Sequence, residues 1–120
     1  MYKKLAIMLT LVNSVVWATD LGKKTYETTC KSCHAPQFAK GIKAPEALDK
    51  KAWAQRFEQA EIEAKNNPSQ FKTAQDYLLY RVSIGKGLMP HGGLCVEANV
   101  PNKNCSNEAL IQAIDYMADR

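Results

Sequence analysis

Two cysteines and a histidine packed into the five residues Cys30-Lys31-Ser32-Cys33-His34 restrict the folds open to this chain more than any other feature. The spacing places two thiols and one imidazole where a single flat macrocycle can meet all three. Each sulfur adds to one vinyl group, and the residue that follows turns its imidazole onto the central iron. This C-x-x-C-H order is the attachment pattern of a c-type haem. A fold that carries it must wrap a porphyrin, with the motif inside a helix or ending one. The competing reading is half of a zinc site, because closely spaced cysteine pairs also serve zinc ribbons. A ribbon needs a second such pair, whereas Cys95 and Cys105 have nine residues between them, so haem is favoured.

Residues 1–18 read as a secretory leader, with Lys3 and Lys4 as the basic start, a mostly apolar stretch from Leu5 to Trp17, and small residues Val16 and Ala18 at the cut. Asn13 and Ser14 interrupt the stretch, which is shorter than the roughly 18 to 20 apolar residues of a spanning helix. Cleavage after Ala18 is therefore expected, leaving residues 19–120 as one small domain with no membrane span. In a bacterium the destination is the periplasm, an oxidising compartment. Cleavage takes two lysines and no acid from 16 basic and 12 acidic side chains, leaving an excess of two positive charges. Such a balance argues against nucleic acid or a polybasic membrane patch.

The mature sequence reads as all-α, about four helices around one covalently attached haem. Leu21 to Cys30 forms the first, with Gly22, Tyr26 and Cys30 on one face. A glycine there lets another backbone approach closely, and the expected neighbour is the last helix, from Asn107 to Asp119 with Ser106 as N-cap. Gly22 and Tyr26 should dock near Tyr116. A second helix opens at Asp49 and runs to about Lys65, with Trp53, Phe57, Ala60 and Ala64 on its inner face. Thr73-Ala74-Gln75-Asp76 makes a capping box for a third helix, which runs through Tyr77, Leu78, Arg81, Val82 and Ile84 to Gly85.

A second axial ligand must come from a short set: Met89, His91 and Met117. Met117 sits on the apolar stripe of the last helix and reads as core. Met89 lies in the loop Gly85-Lys86-Gly87-Leu88-Met89-Pro90, which is suited to carry a thioether to iron, with His91 as its chemical rival.

These pieces resemble a class I cytochrome c, and most of all the cytochrome c5 group of monohaem proteins. The likeness runs from Gly22 and Tyr26 through the C-x-x-C-H motif, Lys43-Ala44-Pro45, Asp49 to Arg56, Gly85 to Pro90 and Gly92-Gly93 to the late cysteines and the Ala113 to Met117 ending. It implies that Cys30 and Cys33 carry one haem c per chain, with His34 and Met89 as the axial ligands. It implies further that a carbonyl near Pro45 orients His34 and that Trp53 and Arg56 lie near the haem propionates. In that group the late cysteines are close together, whereas here Val96 to Asn104 separate them. A Cys95–Cys105 disulfide is still expected in an oxidising compartment. The long, acidic Phe57 to Phe71 stretch is a second departure.

The resemblance implies a periplasmic one-electron carrier rather than an enzyme. It would pass electrons between redox proteins, a donor and an acceptor such as a membrane oxidase or a quinol-oxidising complex. Lys31, Lys40, Lys43 and Lys86, close in sequence to the haem-bearing segments, would steer an acidic partner. The alternatives are a haem subunit of a larger redox complex, or a ligand-binding sensor or enzyme with a displaceable distal methionine.

Overall fold

Side-chain caps set where the principal helices begin in the computed structural model, which describes residues 16–90, 95 and 105–120. Asp49 accepts from the Ala52 amide and opens α4 (Lys50–Asn66), and Ser106 accepts from the Ala109 amide and opens α6 (Asn107–Ala118). At α5 (Ala74–Ile84), Thr73 and Asp76 complete both halves of the capping box. Each cap satisfies amides that the first turn leaves without a helical partner. Before them come α1 (Val16–Thr29), α2 (Lys31–His34) and α3 (Pro36–Ala39).

The fold is all-α, with no strand among the described residues beyond an isolated bridge between Lys86 and Met89. Among the described residues six helices replace the expected four, because the haem motif itself forms one single turn, α2, and α3 adds another directly after it. Pro36 occupies the first turn of α3, where its missing amide costs nothing. α1 begins at Val16 rather than Leu21, so that the helix runs back across Ala18 into the last three residues of the expected leader. Residues 1–15 of that leader, His91 and the 96–104 insertion lie outside the described residues.

α1 packs against α6 through the contact expected at Gly22. An ideal Cβ built there would stand 2.5 Å from the Gln112 carbonyl oxygen and 3.3 Å from the Tyr116 Cβ. One turn on, the Tyr26 and Tyr116 rings lie 5.2 Å apart between centroids. α4 turns Trp53, Phe57, Ala60 and Ala64 inward, and α6 turns in Leu110, Ala113, Ile114 and Met117. α5 differs, for none of its residues is fully buried. Its inner residues Leu78 and Val82 border the core on one side and an open cleft on the other.

Candidate functional site

The cleft is built around His34, at the end of α2. Its Nδ1 lies 2.8 Å from the Pro45 carbonyl oxygen. A carbonyl can only accept, so Nδ1 carries the proton and donates, and the Nε2 lone pair is free for a metal. Burial holds the imidazole below its ordinary pKa, the Pro45 carbonyl partly offsets this, and the Arg56 guanidinium pushes the same way as burial. A neutral imidazole with its second nitrogen fixed is the form that binds iron.

The segment supplying that carbonyl is itself tied down on every side. The Ala47 amide donates to the His34 carbonyl at 2.8 Å, the Trp53 indole N–H donates to the Glu46 carbonyl at 2.9 Å, and the Leu48 amide donates to the Met117 carbonyl. Lys43 and Leu48, on either side of it, adopt φ of 56° and 68°. Left-handed backbone at residues with a Cβ costs on the order of 1 kcal/mol each. The surrounding hydrogen bonds hold that strain in place, and the result is one fixed orientation for the His34 ring. The Trp53 ring stands 5.8 Å from it.

Two clefts meet at this histidine. The larger is an open cleft of about 210 Å³, lined by His34, Pro45, Trp53 and Arg56 together with Tyr77, Leu78, Arg81, Val82, Met89 and Met117. The smaller is lined by Thr29, Cys30, Cys33, His34, Met89 and Pro90. His34 and Met89 border both, whereas Met117, 2 % exposed in the core, borders only the larger.

Met89 is held by a tight turn. Lys86 and Met89 exchange two backbone hydrogen bonds of 3.0 and 2.9 Å, and Gly87 between them has φ of 59°. A positive φ at the first central residue is what a type II′ turn demands, and glycine meets it without strain. Neither haem-motif cysteine is tied up in a disulfide. Burial pushes the Cys30 thiol up in pKa, with the Thr29 hydroxyl 3.4 Å from its sulfur acting in the opposite sense. Protonated, uncharged sulfur fits this buried place, as would the neutral thioether it becomes when linked to a vinyl carbon.

The residues therefore fit a haem: two cysteine sulfurs, an oriented imidazole and a thioether line two largely apolar clefts that share His34 and Met89. Among the described residues no group of three or more His, Cys, Asp and Glu gathers to hold a metal ion, so no four-ligand zinc site forms around Cys30 and Cys33. Pro45, Trp53 and Arg56 all line the larger cleft. The sequence reading did not single out Tyr77 and Arg81 as cleft residues, although their spacing with Leu78 and Val82 marks one face of α5. The expected disulfide joins Cys95 to Cys105.

A family model described as cytochrome c matches residues 19–89, well over half of the chain. Neither a curated protein nor a solved structure matches it.

Proposed function

The chain belongs to the cytochrome c family, a haem-containing electron carrier with covalently attached haem c, and from that premise we propose a periplasmic monohaem carrier of the cytochrome c5 group with His34 and Met89 as axial ligands. The observation that carries this reading is that His34, its Nδ1 committed to Pro45, and Met89, pinned by the Lys86–Met89 turn, border both clefts, the smaller of which Cys30 and Cys33 also line. Bound haem c supplies one-electron exchange between Fe(II) and Fe(III).

The chain's own residues do the rest. Cys30 and Cys33 tether the group through thioether bonds, and His34 offers Nε2 because Pro45 holds the other nitrogen. Met89 offers a thioether, which favours the reduced metal and raises the potential. Trp53, Leu78, Val82 and Met117 supply apolar walls that limit water and reorganisation. With His34 and Met89 both given to the iron, the group would have no site left for a substrate, which favours a carrier over an enzyme or sensor.

Export rests on the leader at residues 1–18, and it is supported by the Cys95–Cys105 disulfide and by a family match that starts at residue 19. On this reading residues 19–120 form one domain. Among the described residues no helix is long and apolar enough to cross a membrane. The partners are a donor and an acceptor protein, such as a quinol-oxidising complex and a membrane oxidase.

The test is the mass and spectrum of periplasmic protein. The expected mass is that of residues 19–120 plus one haem, and carbon monoxide should leave the reduced spectrum unchanged. Rapid carbon monoxide binding at neutral pH would sink the carrier reading.

A further inference from the structure

We propose that Arg81 is a second cationic anchor for the haem carboxylates and that it raises the reduction potential. The inference rests on the covalent haem of the preceding reading. Its starting point is an imbalance of charge in the larger cleft, where Arg56 from α4 and Arg81 from α5 both line the wall and, among the described residues, no aspartate or glutamate does. The ion pairs among the described residues, Lys50–Asp119 and Lys65–Glu61, involve neither arginine.

Arg81 is half-buried, and its neighbours Leu78 and Val82 pack against the core, so α5 cannot roll to bring it fully into water. Asp76, on α5 itself, and Asp115, which meets α5 from α6, are committed elsewhere. Asp76 accepts from the Lys72 and Thr73 amides, and Asp115 accepts from the Gln75 side chain. A guanidinium partly removed from water and without an anion is costly, and the cost is removed when an anion enters the cleft.

Haem c brings two carboxylates. Trp53 has no donor left for either, because its indole N–H is already given to the Glu46 carbonyl. Two arginines on two helices match two carboxylates, and a planar guanidinium holds a carboxylate through paired hydrogen bonds. The arrangement also gives α5 a tie to α4 through the cofactor. A positive charge beside the porphyrin favours the state with one more electron, so Arg81 stabilises Fe(II) over Fe(III). Lys86 lines the same cleft but is exposed, and its influence should fade with salt.

The experiment is a spectroelectrochemical titration of haem-loaded wild type, Arg81→Gln, Arg81→Lys and Lys86→Gln at low and high salt. Mass and the oxidised spectrum of each sample establish separately that haem and axial ligands are in place. Arg81→Gln should shift the Fe(III)/Fe(II) equilibrium toward Fe(III) by roughly threefold to tenfold, the scale for a unit charge in a partly solvated cleft. Most of that shift should survive high salt, and Arg81→Lys should restore the larger part, which a packing role would not predict. An Arg81→Gln potential equal to wild type overturns the proposal, as does an equal drop in Arg81→Lys. If Arg81→Gln fails to accumulate, nitrogen-15 NMR of the wild-type holoprotein decides. An Arg81 Nε–H protected from exchange supports the anchor, and one exchanging like free arginine refutes it.

Discussion

Adding a single methyl group at Gly22 should loosen the whole fold, because the space it would enter is already taken by backbone. An ideal Cβ there stands 2.5 Å from the Gln112 carbonyl oxygen and 3.0 Å from its carbon. Neither atom can swing aside as a side chain would, so α1 and α6 must separate. The separation also disturbs the Tyr26–Tyr116 contact one turn further on. Overpacking of this kind costs about 1 to 3 kcal/mol, and a clash against backbone belongs at the upper end. Alanine returns up to about 1 kcal/mol through its better helix propensity. The net loss for Gly22→Ala is therefore about 2 kcal/mol, equivalent to a fall in Tm of roughly 8 to 16 °C for a domain of this size. Guanidinium unfolding of the holoprotein, followed by far-ultraviolet circular dichroism, measures it, and Gly22→Ser should lose at least as much. A Gly22→Ala protein as stable as wild type would refute the close-approach argument.

Replacing Cys95 and Cys105 together by serine opens an eleven-residue ring and should cost roughly 3 kcal/mol of stability in the same assay, with haem attachment intact. Thr73→Ala removes one half of the α5 capping box and should cost about 1 kcal/mol, read as a lower denaturation midpoint at unchanged m. Burial, followed by the neighbouring Tyr116, raises the Tyr26 phenol above its ordinary value of 10.0. The folded state thus favours the neutral ring. Its contribution is complete below that ordinary value and is lost as pH rises toward the raised one. Stability should fall on the alkaline side in wild type, and the fall should be shallower in Tyr26→Phe.

Much of this architecture is legible in local chemistry. Asp49, Thr73 and Ser106 each sit just before an apolar period, and a cap works through amides two or three residues away, so no distant contact is needed to recognise it. Gly22, Tyr26 and Cys30 likewise share a face by spacing alone. What escaped the sequence reading depends on the cofactor. α2 and α3 are four residues each, too short to show a period, and they follow from the turn that brings His34 beneath Pro45. α5 has an apolar face that meets the cleft as much as protein, which is why Leu78 and Val82 stay half-buried and Arg81 can share their side of the helix. A hydropathy pattern distinguishes inside from outside. It carries no sign for a surface that becomes inside only when a porphyrin covers it.

The central proposal is that Met89 and His34 would together hold the haem iron, and the oxidised absorption spectrum tests it most directly. Wild type and Met117→Leu should both show the weak red charge-transfer band of iron–thioether ligation, and Met89→Ala should lack it and have a lowered potential. A red band that persists in Met89→Ala would contradict the account.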